Sequence, residues 1–144
     1  MPAPYEPVVE VAVVVDTSGS MSKAELETAL AEIDGLLRSA RNSIRVLSCD
    51  AAVHAQGRVT RASEVAKLLK GGGGTDFRPA FDALAPHRPG VTVVVTDGYG
   101  PAPEQAPAWT DTIWLLVGKH TRKPQRGDSW ADINWGEFIR AGHA

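Results

Sequence analysis

The chain has 144 residues, 43% of them hydrophobic and 22% charged, which is enough apolar material for the core of one globular domain. Its formal net charge of −2 and its scattered Lys and Arg residues argue against nucleic acid and against an anionic membrane surface as partners. The single cysteine, Cys49, excludes an intramolecular disulfide and a cysteine-rich zinc site, and we expect its thiol to be buried and unreactive. The N-terminus lacks the basic segment of a signal peptide, and the apolar run behind it is too short to span a membrane, so we predict a cytoplasmic protein.

The first predicted element is a run of valines that ends in oxygen-bearing side chains. Residues 8–15 are almost all apolar, which is typical of a central parallel strand covered on both faces. Asp16, Ser18 and Ser20 follow at alternate positions around a glycine. Ligands of open α/β sheets bind just beyond the carboxyl ends of the strands, so this loop lies where a site is expected. One carboxylate and two hydroxyls suit a hard cation such as Mg²⁺.

A helix and a hairpin are predicted next. Ser22 and Glu25 have the spacing of a capping box, and apolar residues at helical spacing extend the helix over residues 23–40. Residues 44–49 are predicted as a second strand and residues 51–59 as a short return strand. The two strands should form a hairpin at one edge of the sheet.

A glycine-rich segment follows a second helix, which is predicted over residues 62–69. Residues 71–74 are all glycine, but the segment lacks the Gly-Lys-Ser or Gly-Lys-Thr end of a P-loop. A dinucleotide fingerprint would need a strand directly before the glycines, where a helix is predicted. We therefore interpret the segment as a loop that brings its backbone close to another element and delivers Thr75 to a fixed point.

Two acidic residues near these loops, Asp50 and Asp76, are expected to have structural roles. We predict Asp76 to be the N-cap of a third helix that runs to about Leu84. Asp50 is predicted to shape the turn of the hairpin. The alternative for both is a place at the rim of the metal site.

The second half of the chain repeats the pattern of the first strand. Residues 91–96 form an apolar, β-branched run followed by Asp97 and a glycine, so we expect a second central strand with Asp97 at the same edge as Asp16. Residues 112–118 predict another buried strand, and residues 136–140 predict a short last strand at the opposite edge. These elements together predict an α/β fold with a mostly parallel sheet.

The order of these side chains resembles the metal-ion-dependent adhesion site of von Willebrand factor type A (VWA) domains. The motif consists of Asp-x-Ser-x-Ser, a Thr in a glycine-rich loop and an Asp after an apolar strand, and all five positions are present in that order. The resemblance covers the chain from about residue 8 to residue 140. It implies a Rossmann-like three-layer fold in one domain, residues 1–144, with helices on both faces of a central sheet. That sheet would have about six mostly parallel strands and one antiparallel edge strand.

Three segments look more narrowly like a bacterial VWA-like domain. They are residues 16–22, 48–54 and 72–76. Such a domain usually lies C-terminal to a predicted metal-dependent peptidase-like region. Any peptidase-like activity is therefore expected outside this chain.

The resemblance implies a divalent cation held by hydroxyls and carboxylates. The ligands would be Asp16, Ser18, Ser20, Thr75 and Asp97, with the carboxylates binding directly or through water. Residues at the rim would be Asp50, Asp76, Gly98 and Tyr99. Mg²⁺ is the expected ion, with Mn²⁺ and Ca²⁺ as alternatives. An Asp or Glu of a partner protein would complete the coordination, and a MoxR-class AAA ATPase is one candidate partner.

Two classes of function remain open from the sequence. The first is a non-enzymatic, metal-dependent binding module, which we expect to be a monomer. The alternative is a metal-dependent hydrolase, acting on a phosphoester or a peptide, in which the same cation activates water. Against the hydrolase, the Asp16-x-Ser18 pattern lacks the second carboxylate of haloacid dehalogenases, and we expect no His or Glu beside the metal loops to act as a general base.

Overall fold

The structure is a computed structural model that describes residues 10–17, 19, 21–39, 44–61, 64–65, 68–69, 71, 73–97, 101–117 and 135–140. These residues form the following strands and helices, in chain order: β1 (Val11–Asp16), α1 (Lys23–Ser39), β2 (Ile44–Cys49), β3 (Val53–Val59), α2 (Arg78–Leu84), β4 (Val91–Thr96), β5 (Asp111–Leu116) and β6 (Glu137–Arg140). Within them, no helix is long and apolar enough to cross a membrane.

The strands form one six-stranded sheet in the order β3-β2-β1-β4-β5-β6. All neighbouring pairs are parallel except β2 and β3, which form an antiparallel hairpin at one edge. The predicted α/β fold, the antiparallel edge strand and the position of the last strand at the opposite edge are therefore confirmed. The chain leaves β1 toward one edge and later returns to β4 on its other side, so the crevice beyond the carboxyl ends of β1 and β4 is where such folds bind ligands.

A helix packs on each face of this sheet. Alternate residues of β1 point to opposite faces, and both sets are buried, which explains why valine fills almost every position. On one face, Val13 and Val15 belong to the same core as Ile33 of α1. On the other face, Val14 belongs to the same core as Phe81 of α2. The three-layer arrangement expected from the sequence is confirmed.

The second predicted helix lies largely outside the described residues. Glu64 and Val65 have helical backbone, whereas Leu68 and Leu69 do not. Val65 is fully buried in the core that contains α1, and Leu68 and Leu69 pack against the same core, so these three residues lie on the α1 face of the sheet.

The start of α2 corrects one prediction. Phe77 is the N-cap of α2, so the prediction of Asp76 at that position is wrong by one residue. Asp76 still accepts a hydrogen bond of 3.0 Å from the backbone N–H of Arg78, and its carboxylate pairs with the Arg78 guanidinium at 2.7 Å. The Phe77 carbonyl oxygen accepts the first helical hydrogen bonds, from the N–H groups of Ala80 and Phe81, so the Asp76 carboxylate caps the N–H of Arg78 from one position before the N-cap.

Candidate metal centre

The carboxylate of Asp16 is held at the centre of the ligand-binding edge. It ends β1, is fully buried, and accepts a hydrogen bond of 2.6 Å from Thr96 Oγ1 to its Oδ2 atom. The bond follows from the parallel pairing of β1 with β4, in which Val15 lies opposite Val95. The next residues of the two strands, Asp16 and Thr96, are therefore also neighbours. Thr96 was missed as a site residue in the sequence because its role depends on which strands are neighbours.

Asp97 follows directly after β4 and is also buried, with 7% of its surface exposed. Because β1 and β4 are parallel neighbours, Asp97 lies at the same edge of the sheet as Asp16, as the sequence predicted. Two buried carboxylates therefore occupy the carboxyl ends of the two central strands. Carboxylate oxygens in this position are of the kind that a divalent cation takes as ligands.

The glycine-rich segment lies against the loop that follows β1. The backbone N–H of Gly19 donates a hydrogen bond of 2.9 Å to the carbonyl oxygen of Gly73. At Gly71 a Cβ atom would lie 2.3 Å from Thr17 Oγ1, a distance that no real side chain tolerates. Glycine is thus required here for the close approach of two backbones, and this approach brings the segment that carries Thr75 to the loop after Asp16.

Asp50 ties the same segment to the β2–β3 hairpin. Its Oδ2 atom accepts a hydrogen bond of 2.9 Å from the backbone N–H of Gly73, and its Oδ1 atom accepts one of 3.1 Å from that of Ala52. Burial by itself raises the pKa of the Asp50 carboxyl, but the hydrogen bonds from Gly73, His54 and Ala52 outweigh it and leave the pKa below its ordinary value. The prediction that Asp50 shapes the hairpin turn is confirmed, and its contact with the glycine-rich segment is a further role.

His54 was missed in the sequence. Its Nε2 atom lies 2.6 Å from Asp50 Oδ1, on the carboxylate that also holds Gly73. From the sequence we expected no histidine beside the metal loops; His54 reaches the glycine-rich segment indirectly, through Asp50. The hairpin brings the two residues together, because a tight turn folds β3 back so that His54 meets a residue four positions earlier in the chain.

Cys49 is a buried thiol close to the acidic residues at this edge of the sheet. The thiol is buried, and its Sγ atom lies 3.2 Å from the carbonyl oxygen of Asp76. Burial raises the pKa of this thiol to about 12, with added contributions from the charges of Asp16, Asp50 and Asp76. The prediction of a buried thiol is confirmed, and its raised pKa supports the prediction that it is unreactive, since a neutral thiol is a poor nucleophile.

Four residues of the predicted site lie outside the described residues. They are the ligands Ser18 and Ser20 and the rim residues Gly98 and Tyr99. In the part of the chain that the structure describes, no group of three or more His, Cys, Asp or Glu side chains is arranged to hold a metal. The buried carboxylates of Asp16 and Asp97 offer oxygen atoms at this edge, the ligand type that a hard cation such as Mg²⁺ prefers.

The fold and the edge residues define a class of protein: a Rossmann-like α/β domain with buried carboxylates at the crossover between its two central strands. The sequence profile of the family described as "VWA-like domain (DUF2201)" matches residues 11–139, and the chain belongs to this family. A search of curated protein sequences gave no match. VWA-like domains are in general interaction modules or metal-dependent modules rather than enzymes.

Proposed function

We propose that the chain is a metal-dependent protein-interaction module that docks a carboxylate of its partner through a divalent cation. The observation that carries this proposal is the buried Asp16 carboxylate, which lies at the crossover of the sheet and is oriented by Thr96. Mg²⁺ is the proposed ion. Its proposed ligands are Asp16, Ser18, Ser20, Thr75 and Asp97.

The chemistry of this ligand set suits docking. Two carboxylates balance the charge of a divalent ion, and three neutral hydroxyls add none, so the ion remains attractive to one more anionic oxygen. An Asp or Glu side chain of a partner supplies that oxygen, which makes binding of the partner depend on the metal. The same ligand set predicts modest affinity, at about millimolar Mg²⁺, because affinity for hard cations rises with the number of charged ligands.

Titration calorimetry of metal-stripped protein with Mg²⁺ and Mn²⁺ tests the metal half of the proposal. We expect saturable binding of one ion in the wild type and none in Asp16→Ala. Asp82→Ala is the matched control, because it removes one exposed carboxylate of α2 and should bind as the wild type does. Circular dichroism confirms that each variant is folded. Failure of the wild type to bind either ion at millimolar concentration would contradict the proposal.

The partner half needs a separate experiment. A MoxR-class AAA ATPase is the proposed partner, and we expect its capture by the immobilised chain to need Mg²⁺ and to be lost with a chelator or in Asp16→Ala. Capture that is unchanged by chelator would show that the metal does not form the bridge.

A metal-dependent hydrolase is the second candidate, and the Asp50–His54 pair favours it. A histidine held by a carboxylate is a common form of general base, and this one is attached to a loop of the candidate centre. Phosphoesters and peptides assayed with Mg²⁺ or Mn²⁺ separate the two functions. Turnover that is lost in both Asp16→Ala and His54→Ala would favour the hydrolase.

A further inference from the structure

Asp50 contacts the chain on both sides of Thr75. Its side-chain Oδ2 accepts the N–H of Gly73 at 2.9 Å, and its backbone carbonyl oxygen accepts the N–H of Asp76 at 2.9 Å. Thr75 lies between these two anchored residues. Asp50 is buried, with 6% of its surface exposed, so water competes little for these bonds.

The same residue connects the glycine-rich segment to the loop after β1. Gly73 donates its N–H to Asp50 and accepts the N–H of Gly19 at 2.9 Å with its carbonyl oxygen. The N–H and the carbonyl oxygen of Gly73 are thus both bonded. Displacement of Gly73 from Asp50 therefore also disturbs its bond to Gly19. The separation between two proposed ligand-bearing loops is thus set by Asp50.

His54 fixes the orientation of the Asp50 carboxylate. The lowered pKa of Asp50 means that it is ionised and can only accept, so His54 donates its Nε2–H to Oδ1 at 2.6 Å. With Oδ1 engaged by His54 and Ala52, the Oδ2 atom is directed at Gly73. The His54 side chain itself is 38% exposed, so its contribution comes through Asp50 rather than through the core.

We propose that Asp50, oriented by His54, is a positioning residue that sets the metal affinity of the candidate centre by fixing the chain on both sides of Thr75. This inference rests on the proposed function, since it assigns a role within the same site. It adds a residue pair from the β2–β3 hairpin that contributes no proposed ligand.

The electron paramagnetic resonance signal of free Mn²⁺ gives its concentration, and hence the Mn²⁺ affinity of each Asp50 variant. We expect Asp50→Ala and Asp50→Asn to bind Mn²⁺ at least about ten-fold more weakly than the wild type, as is usual when a residue that orients a metal ligand is removed. Asp50→Asn retains the side-chain volume and covers the case in which Asp50→Ala does not fold. Asp82→Ala should bind as the wild type does. Wild-type affinity in a folded Asp50 variant would overturn the proposal.

Two further variants separate positioning from a general structural role. His54→Gln retains an N–H donor that can reach Asp50 and should restore most of the affinity that His54→Ala loses. In a Thr75→Ala background, Asp50→Asn should change the affinity by less than about two-fold, because residues that act through one another are not additive. Equal losses in both His54 variants, or full additivity with Thr75→Ala, would overturn the proposal.

Amide hydrogen exchange of metal-free protein distinguishes failure of this inference from failure of the proposed function. We expect the amides of Gly73 and Gly19 to exchange faster in Asp50→Asn than in the wild type or Asp82→Ala. If the wild type binds no Mn²⁺, the proposed function fails, and these amides alone decide whether Asp50 positions the loops. Unchanged exchange at both glycines would overturn the positioning role.

Discussion

At the scale of single residues, the candidate ligands were visible in the sequence, but the groups that orient them were not. Asp16 and Asp97 could be predicted because each follows a run of apolar residues, and parallel strands end at one edge. The Thr96–Asp16 and His54–Asp50 hydrogen bonds depend on strand pairing and on the hairpin, which residue patterns do not specify. Side chains that act across strands are therefore the part of a site that cannot be identified from a single sequence.

Replacement of Thr96 by valine tests the role assigned to its hydroxyl. The substitution retains the shape of the side chain but removes a hydrogen bond to a buried carboxylate, so we expect the free energy of unfolding in urea to fall by about 1–3 kcal/mol. Metal affinity should fall as well. Thr92→Val is the matched control: Thr92 is equally buried in β4 and bonds Thr110 Oγ1 at 2.8 Å, away from the carboxyl end of the strand. Metal affinity lost equally in both variants would contradict a specific role for Thr96.

The Cys49 thiol predicts a dependence of stability on alkaline pH. Its pKa is raised from 9.0 to about 12 in the folded chain, so between these values the folded state holds a proton that the unfolded state has lost. Stability must therefore fall as pH rises above 9.0, by up to about 1.4 kcal/mol per pH unit from this group. Urea unfolding at pH 8 and pH 10 measures the fall, which should be smaller in Cys49→Ala. An identical fall in that variant would assign it to other groups.

At the scale of elements, capping residues and apolar patterns in the sequence predicted several boundaries of helices and strands. The predicted capping box is present at the start of α1, where Ser22 Oγ accepts the Glu25 N–H at 3.1 Å and Glu25 Oε1 accepts the Ser22 N–H at 3.0 Å. The second strand begins and ends as predicted, at Ile44–Cys49. The N-cap of α2 was predicted one residue too early, because the Asp76 carboxylate bonds the Arg78 N–H from the position before the N-cap. A capping residue type therefore predicts the start of a helix only to within about one residue.

The glycine-rich segment predicts different tolerance at two of its glycines. A Cβ at Gly71 would lie 2.5 Å from the carbonyl oxygen of Thr17, whereas a Cβ at Gly74 would have no atom within 4 Å. We expect Gly71→Ala to lower the free energy of unfolding by about 1–3 kcal/mol, as overpacking usually does, and to weaken metal binding. Gly74→Ala should leave the stability within about 0.5 kcal/mol of the wild type. Urea unfolding measures both, and equal effects would contradict the close approach of the two loops.

At the scale of the whole molecule, the resemblance predicted a mostly parallel sheet of about six strands with one antiparallel edge strand. The observed sheet agrees, and the family profile matches residues 11–139. Register could not be predicted, because strands buried on both faces carry no alternation of apolar and polar residues. The pairing of β1 with β4 is nevertheless what brings Asp16 to Thr96 and to the level of Asp97. The candidate site is therefore a product of the sheet as a whole, completed by loops from the hairpin and the glycine-rich segment.

The most direct measurement of the central claim is an anomalous difference map from crystals grown with millimolar Mn²⁺. The account predicts one peak at the carboxyl ends of β1 and β4, within about 2.0–2.6 Å of oxygen atoms that include the Thr75 hydroxyl. The same map from Asp16→Ala crystals should lack this peak. A peak elsewhere on the chain, or a peak that persists in Asp16→Ala, would contradict a metal centre built on these strands.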